Sequence, residues 1–206
     1  GVENKIKHAI TKYQICASEI KYPKDEYSQA PSKDKDNNSE VKKVIYQHNF
    51  YAAKIFKLNP GGTETEDKIS KQKTNIKKEL LTAVKGSGSN CIIKTFGIVD
   101  DSVNKKMMLI MEYAENGSLR SYLDKRKMPL EKILVCRLLY EIACGMRYLY
   151  KKKIQHRDLK ADNVLLTRDH HAKLCDFGIS KNLNLETKAK TVTQAIDVRQ
   201  LTVTHA

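Results

Sequence analysis

One polar stretch of the chain and one later turn hold the residue types that phosphoryl transfer needs. Asp158, Lys160 and Asn163 fall close together, and Asp176 opens a later Asp-Phe-Gly sequence. Such a reaction needs a carboxylate that orients the attacking hydroxyl and accepts its proton, and oxygen ligands that hold a metal ion on the phosphates. Asp158 can be that carboxylate, and Asn163 and Asp176 can be the metal ligands. Lys160 is close enough in sequence to offer positive charge to the transferred group.

These two motifs resemble the catalytic loop and the metal-binding turn of the protein kinase family. Two motifs in the matching order are far more specific than a single glycine-rich pattern. The resemblance covers roughly residues 41 to 182 and is strongest after Met108. It implies an α+β, two-lobed fold, with a small β-rich lobe that carries one helix and a second lobe made of helices.

The resemblance also implies residues that position the phosphates. The sequence Tyr-Ala-Ala-Lys at 51–54 is similar to the family's Val-Ala-Ile-Lys, so Ala52 is expected over the adenine and Lys54 on the phosphates. Glu79 fits the helix glutamate that forms an ion pair with Lys54. A solvated Glu79 is the alternative, because an insert lengthens its spacing from Lys54, and Glu64 and Glu66 are weaker candidates.

The segment 108–119 resembles the family's hinge between lobes. By this match Met111 is the gatekeeper, and the backbone of Glu112 and Ala114 is expected to form hydrogen bonds with adenine. Leu165 matches the residue beneath the adenine ring. Within the same segment, Asn-Gly-Ser at 116–118 is expected to break the chain and cap the next helix.

Two features depart from the family. No glycine lies between Gly1 and Gly61, where the family carries Gly-x-Gly-x-x-Gly. Glycines let backbone N–H groups close onto phosphates without a Cβ in the way, so we expect nucleotide binding to be weaker or differently shaped. After Lys181 the resemblance fades and no Ala-Pro-Glu follows, so the second lobe is expected to be truncated.

The hydrophobic pattern predicts the order of elements. Residues 1–40 are expected to be a poorly defined segment with a polar insert, 41–111 a first lobe, and 112–206 a partial second lobe. Partial alternation over 12–20 makes a strand possible there. The other predicted elements are a hairpin over 44–58, a helix over 69–84, strands over 91–99 and 106–111, a helix over 129–150 that begins at Pro129, and a strand pair near 164–166 and 172–175.

Charge and cysteine content limit the classes of function. The formal net charge is +14, but the lysines are spread along the chain without interleaved aromatic residues, so direct nucleic-acid reading is not indicated. Five cysteines without a Cys-x-x-Cys pair argue against a disulfide framework and against zinc. They fit a reducing compartment, and no apolar run reaches the length of a membrane span, so a cytoplasmic location is expected.

Together, these matches imply ATP and Mg²⁺ as cofactors and a protein as substrate. The lysine two residues after Asp158 is typical of serine/threonine kinases. The sequence of the hinge resembles that of the tyrosine-kinase-like group of these kinases. Two alternatives remain open, namely a nucleotide-binding pseudokinase or scaffold module and an inactive truncated fragment. Thr187, Thr191 and Thr193 lie where the family is phosphorylated, and ordinary loop threonines are an equally good interpretation.

Overall fold

The structure, a computed structural model, describes residues 2–24, 32–33, 39–58 and 65–177. It divides the chain into a first unit drawn from residues 1–84 and 94–113 and a second unit drawn from residues 85–93 and 114–206. A five-stranded sheet dominates the first unit, and helices with a small hairpin form the second. The expected α+β class is confirmed. The three threonines named as candidate phosphorylation sites, at 187, 191 and 193, lie outside the described residues.

The elements of the first unit are α1 (Val2–Ile10), β1 (Ser32–Lys33), β2 (Ser39–Tyr46), β3 (Asn49–Lys57), α2 (Glu66–Gly86), β4 (Thr95–Asp101) and β5 (Lys106–Glu112). They follow the predicted order from β2 onward, whereas α1 and β1 lie in the segment predicted to be poorly defined. The strands pair antiparallel in the order β1-β2-β3-β5-β4. Successive side chains of a strand point to opposite faces, so Ile55 joins one buried cluster of the sheet and Phe56 packs against the other, which contains α2.

The predicted hairpin is present, and its turn is tight. Tyr46 pairs with Asn49, which leaves Gln47 and His48 as a two-residue connection. Both residues have positive φ, 46° and 64°, in the left-handed region. A two-residue turn of this kind is common in hairpins because its twist matches that of the strands. It favours Asn-Gly because positive φ strains most residues that have a Cβ.

We expect the double substitution Gln47→Asn, His48→Gly to stabilise the protein by about 1 kcal/mol, because it removes left-handed strain at the two turn positions. Urea unfolding would show a higher midpoint with an unchanged slope. His48→Ala is the matched control, since alanine retains the strain. A double variant with the same midpoint as the wild type would show that the turn residues are not strained.

The possible strand over 12–20 is not formed. Two short 3₁₀ turns, Thr11–Tyr13 and Ala17–Glu19, occupy this segment. Half-buried Tyr13, Ile15 and Ala17 do alternate with exposed neighbours, which explains the strand-like pattern. The segment has only isolated bridges to the sheet, at Gln14–Ile98 and at Lys21–Ile45, so no continuous ladder develops.

The second unit contains α3 (Leu119–Asp124), α4 (Lys132–Lys151), β6 (Val164–Leu166) and β7 (Ala172–Leu174). Helix α4 begins at Lys132 and not at Pro129, because its N-cap Glu131 has an extended backbone with ψ 140°. Gly145 lets α4 pack closely on β7, since a Cβ there would lie 2.9 Å from Leu174 Cδ1 and 3.0 Å from the Cys91 carbonyl oxygen.

The predicted break and cap before α3 are confirmed. Gly117 has φ 68°, in the region that glycine adopts without strain. Ser118 is the N-cap, and its Oγ accepts a hydrogen bond from the Ser121 N–H at 3.1 Å. None of the helices within the described ranges has the length and apolar character needed to cross a membrane.

Candidate active site

The side chain of Asn163 holds the predicted catalytic loop together. Its Nδ2 donates to the Asp158 carbonyl oxygen at 2.8 Å and to Asp158 Oδ2 at 2.9 Å. Asn163 is only 6% exposed and ends a 3₁₀ turn, Ala161–Asn163. Because both amide hydrogens are directed at Asp158, Oδ1 is the atom of Asn163 with the chemistry to bind a cation.

Lys160 forms the closest charged contact of this loop. Its Nζ lies 2.6 Å from Asp158 Oδ2, and both side chains are about half exposed. Partial burial opposes ionisation of Asp158, but the hydrogen bonds from Lys160 and Asn163 and the charge of Lys160 outweigh it and lower the pKa of the carboxyl. The hydrogen bond to Asp158 likewise raises the pKa of Lys160. Asp158 is therefore an ionised acceptor at neutral pH.

Asp176 is tied to the same loop through the backbone. The N–H of Cys175 donates to the Asn163 carbonyl oxygen at 3.0 Å, immediately before Asp176. Asp176 has φ 59° and Arg157 has φ 65°, so both adopt the left-handed conformation without being glycine. The charge of Asp176 also contributes to the raised pKa of Lys160. The second unit thus brings together the carboxylates and amide that the sequence singled out.

His156 supports this loop from within the core. It is 2% exposed, and its ring packs edge-on against Phe177 with centroids 6.0 Å apart. Burial lowers the pKa of His156, although the Cys175 backbone and the charges of Asp158 and Asp176 oppose that shift. Within the described residues neither ring nitrogen has a hydrogen bond of good geometry. A neutral imidazole acting as an apolar anchor fits these observations.

The residues assigned to adenine divide between the two units. In the first unit, Ala52 and Met111 are direct partners on β3 and β5, and the Glu112 N–H donates to the Lys94 carbonyl oxygen at 2.8 Å. In the second unit, Ala114 is buried and Leu165 forms a bridge with Ser118. Their roles toward a nucleotide stay predictions.

Lys54 and Glu79 form the predicted ion pair in the first unit. Lys54 Nζ lies 3.1 Å from Glu79 Oε1, and the two side chains are 11% and 20% exposed. The two residues are 25 positions apart, and the contact joins β3 to α2. Glu79 is therefore paired and not a solvated surface residue, and Glu66, the weaker candidate, is an exposed residue at the start of α2.

The donor set of the second unit suits a magnesium ion that is bound chiefly through a nucleotide. The described residues contain no cluster of three or more His, Cys, Asp or Glu side chains that could hold a metal. Asn163 and Asp176 offer two hard oxygen donors, and Mg²⁺ in nucleotide enzymes takes one or two protein oxygens and fills its shell with phosphates and water. The two side chains therefore fit the predicted ion.

Two features around the site are not predicted by the sequence patterns. The hydrogen bond from Cys175 to Asn163 uses backbone atoms, which no residue type reveals. The second feature is the packing of residues 2–24 on the sheet, with Ile10 in the cluster that contains α2. The spacing of Ile6, Ile10 and Tyr13 is that of one helix face and could have indicated it.

Comparison with known proteins places these motifs in a family. A family profile described as protein tyrosine and serine/threonine kinase matches residues 63–201. The chain belongs to the protein kinase family. The match includes Glu79, the loop around Asp158 and the turn at Asp176.

Kinases of both substrate classes resemble this chain. A probable serine/threonine-protein kinase of Dictyostelium discoideum is 36% identical over 124 residues, which are 60% of this chain and 24% of that protein. The tyrosine-protein kinase SYK of Gallus gallus is 36% identical over 138 residues, 64% of this chain and 22% of its own. The tyrosine-protein kinase ZAP-70 of Mus musculus is 43% identical over 89 residues, 43% of this chain and 14% of its own. The chain thus spans less than a quarter of the length of these relatives.

We expect Lys160→Met to raise the pKa of the Asp158 carboxyl, because it removes a hydrogen bond and a charge that favour the ionised form. The depressed folded-state pKa adds stability above the ordinary carboxyl pKa, and that stability is lost as pH falls through the folded value. In the variant this contribution to stability should be smaller, and its loss should be complete at a higher pH, because the folded-state pKa lies closer to the unfolded-state value. Carbon-13 NMR titration of the Asp158 carboxyl measures the shift directly.

Lys151→Met is the control, since Lys151 is an exposed lysine at the end of α4. It should leave the Asp158 titration unchanged. An unchanged titration in Lys160→Met would contradict the assigned cause of the pKa shift.

Proposed function

We propose that this chain carries the nucleotide-binding and transfer residues of a protein kinase that moves the γ-phosphate of ATP to serine or threonine hydroxyls. The observation that supports this most directly is the hydrogen-bonded group of Asp158, Lys160 and Asn163. An ionised carboxylate beside a lysine and an amide is the arrangement that orients a hydroxyl toward a phosphoryl group and balances the charge of the transfer.

Asp158 acts mainly by orientation in this proposal. Its lowered pKa makes it a weak base, and general base catalysis is most efficient when the pKa lies near the working pH. The carboxylate would therefore hold the substrate hydroxyl by a hydrogen bond and take its proton only as the new oxygen–phosphorus bond forms and the bond from that phosphorus to the leaving ADP oxygen breaks. Lys160, whose pKa is raised, keeps its charge and faces the transferred group.

The remaining residues would hold the nucleotide. Asn163 Oδ1 and the Asp176 carboxylate would bind Mg²⁺, which supplies neutralisation of phosphate charge. Lys54, aimed by Glu79, would hold phosphate oxygens. The other residues assigned here pack against adenine or bond to its edge, namely Ala52, Met111, Glu112, Ala114 and Leu165.

Specificity for serine and threonine is supported by Lys160. The lysine two residues after Asp158 resembles serine/threonine kinases, and its 2.6 Å contact with Asp158 supports a role beside the substrate hydroxyl. The similar proteins include kinases of both classes, so the substrate class is part of the proposal. A protein substrate in the cytoplasm completes the proposal, and a reducing compartment fits the five cysteines, all within the described ranges and none in a disulfide.

A second candidate is a nucleotide-binding scaffold that signals without efficient turnover. The observation that favours it is the lack of any glycine between Gly1 and Gly61. Residues 34–38, where the glycine-rich loop would lie between β1 and β2, are outside the described residues. Retention of Lys54, Asp158, Asn163 and Asp176 favours the kinase.

We expect Mg·ATP to raise the melting temperature of the protein, because a ligand that binds the folded state stabilises it by mass action. At ATP a hundredfold above Kd the rise should be about 5 to 10 °C. Lys54→Met and Asp176→Asn should abolish it. The matched controls Lys57→Met, at the exposed end of β3, and Asp169→Asn, in the exposed loop between β6 and β7, should keep it.

Phosphate transfer to a serine peptide separates the two candidate functions. Asp158→Asn should retain the thermal shift and lose about 10²- to 10⁴-fold in turnover. A tyrosine peptide of otherwise identical sequence should be a poor substrate. A thermal shift without transfer in the wild type would favour the scaffold, and transfer to tyrosine alone would overturn the proposed specificity.

A further inference from the structure

We propose that residues 2–24, the N-terminal strap, position helix α2 for catalysis, with Ile10 as the positioning residue that acts through Glu79. This inference rests on the proposed kinase function, because the Lys54–Glu79 ion pair matters only if Lys54 holds nucleotide phosphates. It assigns a role in the reaction to a segment that precedes every matched motif.

The strap crosses the sheet of the first unit from one face to the other. Ile6, Ile10 and Tyr13 pack in the cluster that contains α2, whereas Ile15, Ala17 and Ile20 pack in the cluster on the opposite face. It passes around the sheet at β4, an edge strand, where the Ile15 N–H donates to the Ile98 carbonyl oxygen at 2.9 Å.

The far end of the strap is also fixed. Lys21 and Ile45 of β2 exchange two backbone hydrogen bonds, of 3.0 Å and 2.7 Å. Tyr22 Oη reaches Met108 Sδ at 3.9 Å, across 86 positions of sequence. Anchored at β4 and at β2, the strap cannot shift along the sheet without breaking these bonds.

Gly97 makes the crossing possible. A Cβ at this position of β4 would lie 2.5 Å from Ile15 Cδ1 and 2.6 Å from the Tyr13 carbonyl oxygen. The three nearest heavy atoms to that Cβ all belong to the strap. A side chain at position 97 would therefore push the strap away from the sheet. Substitution of Gly97 thus disturbs the strap without changing any residue of the strap itself.

Ile10 is the residue of the strap that is buried in the cluster containing α2. It is 2% exposed and shares its buried cluster with Ile76 and Leu80 of α2. A cavity of about 330 Å³, lined by Ile10 and Ile15 of the strap and by Lys77 of α2, lies beside this contact. Ile6 and Tyr13 pack against the same cluster but are only partly buried, so Ile10 is the strap residue whose truncation should disturb this packing most.

Glu79 lies between the two α2 residues that are buried in the cluster. Ile76 and Leu80 are three positions before and one position after it, so a change in their packing moves the helix backbone that carries Glu79. The Lys54–Glu79 contact is 3.1 Å, and a hydrogen bond weakens steeply beyond about 3.5 Å. A displacement of α2 would thus lengthen or reorient this contact and weaken the hold of Glu79 on Lys54.

A double-mutant cycle in the full-length protein tests this route. Ile10→Ala should lower kcat/KM for peptide phosphorylation by about three- to thirtyfold, the range found for mutations that change coupling between sites. In a Glu79→Gln background the same change should have an effect within about twofold, because the route through Glu79 is already broken. Ile10→Val should recover most of the activity.

Hydrogen exchange of α2 gives a readout that does not depend on activity. Ile10→Ala and Gly97→Ala should each speed exchange of amides 69–84, with amides of α4 as the internal reference. Ile133→Ala is the matched control, since Ile133 is 76% exposed on α4, and it should change neither exchange nor kcat/KM.

The outcomes separate the two proposals. A wild-type protein without phosphate transfer overturns the proposed function, and the catalytic role of the strap with it. An active wild type in which Ile10→Ala and Glu79→Gln lower kcat/KM additively overturns the positioning role alone. Unchanged exchange of α2 in both strap variants does the same. Non-additive loss with faster exchange of α2 supports the inference.

Discussion

The candidate catalytic loop depends on one residue that forms hydrogen bonds both within the loop and with the segment before Asp176. Asn163 donates its side-chain amide to Asp158 and accepts the Cys175 N–H with its backbone carbonyl. Arg157 and Asp176 are both held in the left-handed conformation, which costs a residue with a Cβ about 1 to 2 kcal/mol. The hydrogen bonds of Asn163 and the burial of His156 against Phe177 offset that cost, so two strained residues persist beside the acidic groups.

Electrostatics follow from the same arrangement. The buried imidazole of His156 stays neutral, because burial disfavours its charged form, and it therefore adds no cation beneath the loop. Lys160 is the cation that faces Asp158, and it stabilises the carboxylate in the ionised form. The loop consequently combines a buried apolar support with an exposed, charged surface, which is compatible with the proposed binding of a metal–nucleotide.

The first unit positions its charged pair by packing. Lys54 lies on a strand inside the sheet, whereas Glu79 lies on a helix that packs on the sheet with apolar side chains such as Leu80. A polar contact adds to this packing, since Lys73 of α2 forms an ion pair with Asp100 of β4 at 3.2 Å. Hydrophobic contacts have no direction of their own, so the apolar part of this support depends on how completely the apolar face of the helix is covered. The N-terminal strap supplies part of that cover and belongs to the unit it supports.

Local patterns in the sequence were sufficient for the hairpin at Gln47–His48, for α2 and α4, for the cap at Ser118 and for the order of the motifs, because propensity and periodicity act between near neighbours. They did not predict that α4 begins after Pro129. They also did not reveal that residues 12–20, whose apolar and polar side chains alternate, belong to a strap wrapped around the sheet. They also left open whether Glu79 forms an ion pair with Lys54 or is a solvated surface residue. Only the tertiary structure decided three further features. The contact of Glu79 with Lys54 and the packing of Ile10 join residues that are distant in sequence. The lowered pKa of Asp158 depends on the positions of side-chain atoms that the folded loop brings together.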